Sequence, residues 1–204
     1  MKNLVYYNLK LINNINVLAA ISFLIVLSLM SNMRFLTYTE AARLGETYVS
    51  IIGIIIFPYL CTIEFNQNIK ETIFTKKTSF AKIVFIRVIY MIVFMILCIS
   101  VITAIQLFNC SNFKAIELIA GISITTFFLG MVGITASNLF KNEILGYMAA
   151  FMYYFFELFD RGRHTKDLYL FSLMKGSFSY GKYYILSISL ILLAVNLVII
   201  HRKN

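Results

Sequence analysis

A water-soluble protein of this length needs a charged surface, and this chain has little to build one from. Only 13% of its 204 residues are charged while 60% are apolar, with a mean hydropathy of +0.84. That leaves too little polar surface to cover a water-facing fold. The two histidines, His164 and His201, are too few and too far apart for a metalloprotease, and no Gly-x-Ser-x-Gly elbow occurs, so hydrolytic catalysis has no support. The three cysteines, Cys61, Cys98 and Cys110, are widely spaced, two of them inside apolar runs. They read as small buried hydrophobes and not as a disulfide framework or metal site. The single proline, Pro58, lies inside an apolar run, and no repeat, low-complexity tract or Pro-rich linker divides the chain. Nowhere is there a polar stretch approaching the ~100 residues that an ATPase or receptor domain would need.

What remains is a series of apolar runs, at about 15–33, 48–64, 83–108, 115–140, 142–159 and 183–200. A hydrocarbon core of about 30 Å takes ~20 helical residues, and only helices or closed barrels can satisfy backbone groups inside it. The runs lack the alternation of barrel strands. The expectation is therefore an all-α polytopic membrane protein, one transmembrane domain over residues 1–204 with six spans. The run after Met30 shows no small-x-small cleavage pattern, so the first apolar segment reads as a retained anchor and not a secretory signal. Residues 1–13 place Leu4, Val5, Leu9, Leu11 and Ile12 on one helical arc opposite Lys2, Asn3, Lys10 and Asn13. This suits either an interfacial helix or a plain extension of the first span.

The formal charge is +9, but Lys and Arg sit in short clusters between apolar runs, where they read as topology signals and headgroup contacts; no nucleic-acid partner is implied. With both termini in the cytoplasm, ten positives fall on the inner side and eight on the outer, and six of the nine acids fall outside. Glu40, Glu46 and Lys182 belong to the outer side in this reading. The cell membrane is the expected location.

Gly176 to Tyr183 has the spacing of a phosphate-binding loop, but Tyr183 stands where Ser or Thr would ligate magnesium and no strand precedes it. It is a coincidence of spacing, and the chain is expected to bind no cofactor directly. Ionisable residues near the spans, among them Glu64, Arg87, Glu117 and Glu157, lie close to helix ends, where snorkelling accounts for them. No acidic chain crosses the midplane, which argues against a proton- or sodium-coupled pump. Gly121, Thr125, Gly130, Gly133 and Ser137 are spaced to let another helix, of this or another subunit, approach the fourth span. The aromatic run from Tyr147 to Phe156 reads as lipid-facing or interfacial, with an amphipathic substrate path as the alternative.

The inner loop between the second and third spans is the most informative segment. Ile69, Ile73 and Phe80 share one helical face, with Lys70, Glu71, Lys76 and Lys77 around it. Such a helix suits docking into a partner's groove or lying on the membrane surface. At this loop the chain resembles the permease family of type-2 ABC exporters. Glu64 closes the second span as in that family, Glu71-Thr72-Ile73-Phe74-Thr75 matches the core of its loop, and Lys82 with Arg87 enters the third span; the family's glycine and proline have no counterpart. The resemblance implies a coupling helix within 68–79, with Glu64, Ile69, Glu71, Ile73, Phe74, Lys76 and Lys77 as contacts to a cytoplasmic ABC ATPase that carries ATP and magnesium. It further implies a second permease subunit, identical or different, and short exoplasmic re-entrant helices over Leu168 to Phe178 within the outer segment 160–182. The implied activity is export of an amphipathic peptide, antimicrobial agent or lipid-like substrate. The alternative is a motor-free immunity or accessory protein that binds a toxin or another membrane subunit.

Overall fold

The computed structural model of the chain describes residues 15–31, 33–61, 80–109, 113–176 and 178–202. Among them no strand occurs, and the main helices are α1 (Ile15–Met30), α2 (Tyr38–Leu60), α3 (Phe80–Phe108), α4 (Ala115–Phe140), α5 (Glu143–Asp160) and α6 (Gly181–Arg202). Helices α2, α3, α4 and α6 are each long and apolar enough to cross a bilayer, and α1 is a shorter apolar helix. Leu18, Ile25 and Leu29 of α1, Val93, Leu97 and Val101 of α3, and Ile191, Val195 and Val198 of α6 point away from the bundle. Outward apolar stripes at helical spacing are at home only against lipid or another protein. The chain is a multi-pass helical membrane protein.

The interfacial segment 1–13, Glu64 and the coupling segment 68–79, with Ile69, Glu71, Ile73, Phe74, Lys76 and Lys77, lie outside the described residues. The later helix limits agree with the hydropathy reading to within three residues, whereas α1 stops at Met30, short of residue 33.

The second helix departs most. It begins at Tyr38, ten residues before the apolar run at 48, so Glu40, Arg43 and Glu46 belong to a helix and not to a loop. Hydropathy passes over this stretch because of its charges. The local signal is a capping pattern, Thr37 with Glu40 three residues on: the Glu40 carboxylate accepts the Thr37 backbone N–H at 2.9 Å. The helix widens into a π-turn over Leu44–Val49, returns to α geometry over Ile51–Ile56 and tightens to a 3-10 turn at Pro58–Cys61. Pro58 has no N–H to continue the ladder, which is why the regular helix ends just before it.

Helix α4 is the axis of the bundle: 72% of its membrane-length window is buried, as for α2, against 33% for α3 and 22% for α6. Its small residues receive neighbours from the same chain. A Cβ on Gly130 would meet the Phe57 ring at 2.4 Å, and one on Gly133 would meet Pro58 at 2.7 Å. Ser137 lies against Gly146 of α5, where a Cβ would come within 1.8 Å of the serine hydroxyl oxygen. The loop from α4 to α5 is tight: Lys141 takes a left-handed turn at φ 54°, and Asn142 caps α5 by accepting the Ile144 N–H at 2.9 Å.

The connector 161–180 between α5 and α6 folds back onto one end of the bundle, the capped end. It contains two 3-10 turns, Lys166–Leu168 and Ser172–Lys175. Leu170, Phe171 and Leu173 are fully buried, and Phe171 meets the Tyr154 ring edge-on at 5.6 Å. Gly121 of α4 leaves room for Leu173, whose side chain would sit 2.4 Å from an added Cβ.

Candidate functional site

Polar chemistry concentrates under the connector. The π-turn of α2 buries Glu46 completely, and the face it occupies also carries Ala42, Val49 and Gly53, all buried. Lys182 lies in the first turn of α6, the helix end that disfavours a cation, and it is equally inaccessible. The two form a buried ion pair. The ammonium also donates to the Thr125 hydroxyl at 2.6 Å and to the Leu170 carbonyl at 2.7 Å, so its three N–H groups are all used. The other Glu46 oxygen accepts the Met174 N–H at 3.3 Å. Four segments, α2, α4, the connector and α6, are thereby tied at one point.

A second carboxylate reaches the backbone of the same residue, Leu170, through its N–H. Glu157 of α5 accepts the Leu170 N–H at 3.3 Å, the Thr165 hydroxyl at 3.3 Å and the Tyr153 hydroxyl at 3.2 Å. The snorkelling expected of Glu157 does not occur, because the connector covers the helix end and supplies the donors that water would otherwise provide; the residue is 0% exposed. Arg87 is corrected in the same sense, 1% exposed: α3 starts at Phe80, ahead of the apolar run, so Arg87 lies about two turns inside the helix and is covered by its neighbours. Glu117 does reach the surface and pairs with Lys114 at 3.1 Å.

Glu157→Ala is expected to lower stability by about 1–3 kcal/mol, because it orphans buried donors that its carboxylate satisfies. Limited proteolysis within 161–180 should accelerate with it. Glu157→Gln, which keeps acceptor and shape, should lose less. Equal losses for both variants would show that the hydrogen bonds to Glu157 do not hold the connector.

The aromatic run of α5 divides by face. Tyr154 donates to the Thr47 carbonyl at 2.6 Å and Tyr147 to the Ile55 carbonyl at 3.4 Å, both on α2, while Phe155 and Phe156 are exposed. A smaller polar contact lies between α4 and α6, toward the end of the bundle away from the connector. There Asn138 donates to Asn196 at 2.9 Å, and Asn196 donates to Thr135 at 2.9 Å. Interhelical hydrogen bonds of this kind contribute about 0.6–2 kcal/mol in a membrane interior.

The Glu46–Lys182 network is closed, with no ammonium donor left for a ligand. Lys182, which completes the phosphate-loop spacing, is therefore held inside the bundle. Among the described residues no group of three or more His, Cys, Asp or Glu is placed to hold a metal. An open feature adjoins this network: a cleft of about 990 Å³ beside the α2 start, the α5 end and the connector. Its charged lining is Arg43, Arg161, Arg163, Lys175 and Glu40. Burial, then the carboxylates of Glu46 and Glu157, hold the Tyr169 phenol at the cleft wall above its ordinary range, so it stays a neutral hydroxyl.

Gly130, Gly133 and Ser137 are brought together with α2 and α5 as helix contacts within the chain. Glu46, Lys182, Thr125 and the Leu170 peptide form a site that hydropathy does not find. A usable signal exists for Glu46, which shares a helical stripe with small residues and therefore faces a neighbour. No local signal pairs it with Lys182, far along the chain. Comparison with protein-family models, with curated proteins and with solved structures finds no match to this chain.

Proposed function

We propose that this chain is the membrane-spanning subunit of an ATP-driven exporter of the type-2 class, working with a separate cytoplasmic ATPase. The observation that carries the reading is the connector 161–180, which turns back into the bundle between the fifth and sixth helices and buries Leu170, Phe171 and Leu173. The resemblance asks for short re-entrant exoplasmic helices at this place. In this reading α1 and α5 also span, completed by flanking residues, since 16 and 18 residues at 1.5 Å rise fall a little short of about 30 Å. Six spans put both termini and the segment 62–79 on one side, which this reading takes as the cytoplasmic one. That loop transmits closure of the nucleotide-bound ATPase to α2 and α3, and two such chains, identical or different, with two ATPases form the working unit. The cargo is an amphipathic peptide, antimicrobial agent or lipid-like molecule.

The test is co-purification of the tagged chain from its native membranes in mild detergent, read as vanadate-sensitive ATP hydrolysis. Wild type should carry this activity, and the double substitution Ile73→Asp with Phe74→Asp should reduce it by at least about tenfold, because charge is driven into an apolar contact. Normal amounts of folded variant with full ATPase retention would overturn the coupling role. A wild-type chain that acts in cells lacking any such ATPase would overturn the exporter reading and favour a motor-free accessory protein.

A further inference from the structure

We propose that the cleft at the capped end binds an anionic amphiphile, with a phosphate or carboxylate headgroup held by Arg43, Arg161 and Arg163 and the apolar tail laid over Tyr48 and Phe159. The charge of the cleft selects an anion. It collects Arg43, Arg161, Arg163 and Lys175 against one acid, Glu40. Glu40 is engaged in capping α2 through the Thr37 N–H and hydroxyl, at 2.9 and 2.8 Å. The three arginines form no ion pair with any described residue, while Lys175 stands over the Tyr169 ring at 5.1 Å. Guanidinium groups gathered in one concavity, one from the start of α2 and two from the turn that ends α5, suit an oxyanion they can bind through paired N–H donors.

Apolar surface beside the arginines selects an anion that carries a tail. Tyr48 is 50% and Phe159 79% exposed, and both line the same cleft as the arginines. A free inorganic anion would leave these rings unused, whereas a headgroup on a tail covers them. Position agrees, since the cleft opens where α2 begins and α5 ends, the level at which headgroups meet helices that span a bilayer.

The backbone at Arg161 points the same way. Arg161 closes α5 at φ 52° in the left-handed region, where glycine costs less, and Gly162 follows at φ 77°. The turn leaves Arg161 at the helix end, on the lining of the cleft.

The assignment does not depend on the exporter reading, and its test uses neither ATP nor a partner. The purified chain in nonionic detergent is titrated with phosphatidylglycerol and, separately, phosphatidylcholine, with bound lipid counted by native mass spectrometry. Phosphatidylglycerol should bind at least about tenfold more tightly, and the double variant Arg43→Gln with Arg163→Gln should erase that preference. Arg161→Gly should weaken binding about as much without lowering the melting temperature, which separates a ligand contact from a structural one. Lys114→Gln, a charge removed outside the cleft, should change nothing. Phosphatidylglycerol retained from the native membrane by wild type but not by Arg161→Gly identifies a bilayer lipid as the occupant. Binding of added dodecyl phosphate without any retained lipid identifies a soluble amphiphile of the same chemistry. Equal affinity for the two lipids, a preference that survives the double variant, or an equal loss in Lys114→Gln would overturn the proposal.

Discussion

Replacing Lys182 by Met is expected to destabilise the protein by about 3–5 kcal/mol, a larger loss than Glu157→Ala or Gly53→Ala should cause. The variant keeps most of the side-chain volume but leaves Glu46 sealed in the bundle without its cation. The Thr125 hydroxyl and Leu170 carbonyl lose their ammonium donor as well. The intact pair is not itself a large source of stability, since burying two charges costs nearly what their attraction returns. Removing one partner is costly because the other has nowhere to go. Glu46→Gln with Lys182→Met should therefore recover a good part of the loss. Unfolding in a detergent or denaturant series for wild type, both single variants and the double variant measures the coupling directly. Additive losses in that cycle would mean that the pair does not act as a unit.

The second large effect is expected at Gly53. Glycine to alanine in an exposed helix interior normally stabilises by about 1 kcal/mol. Here the added Cβ would fall 2.1 Å from the Thr126 carbonyl oxygen and 2.9 Å from its carbon, and backbone cannot rotate away as a side chain can. Helices α2 and α4 must separate, and because α4 is the axis of the bundle the strain spreads to other contacts. A net loss of about 1–3 kcal/mol is expected, the overpacking cost exceeding the propensity gain. Gly176→Ala offers the contrast: the nearest atom is Thr39 Cγ2 at 3.7 Å, so only its φ of 95° opposes the methyl group. Comparing melting temperatures of the two variants separates steric closure from backbone strain. Gly53→Ala melting at or above wild type would show that α2 and α4 cross with room to spare.

The difference between these two glycines is invisible in the chain itself. Small residues at helical spacing on α4 announce that some helix approaches closely, because a missing side chain on an apolar helix has little other use. Which helix comes is a question of fold: Phe57 and Pro58 of α2 lie over Gly130 and Gly133, and α5 crosses at Ser137. The start of α2 shows the same limit differently. Charge at Glu40, Arg43 and Glu46 pulls the stretch below any apolar threshold, yet Thr37 and Glu40 already carry the pattern of a helix start.

Composition and hydropathy alone point to the class of protein: a chain so poor in charge and so long in apolar runs is at home in lipid, where only helices or closed barrels satisfy the backbone, and its runs lack the alternation of barrel strands. They also locate the limits of α3 to α6 to within three residues, because each helix ends close to a change from apolar to polar residues. The fate of the ionisable groups is settled by packing in three dimensions. Whether Glu46, Glu157 and Lys182 face water or a buried partner depends on a connector folding back over the helix ends, and on residues distant in the chain meeting at the Leu170 peptide. A charge in an apolar surrounding is tolerated or excluded according to its neighbours in space, and hydropathy sums only neighbours in sequence.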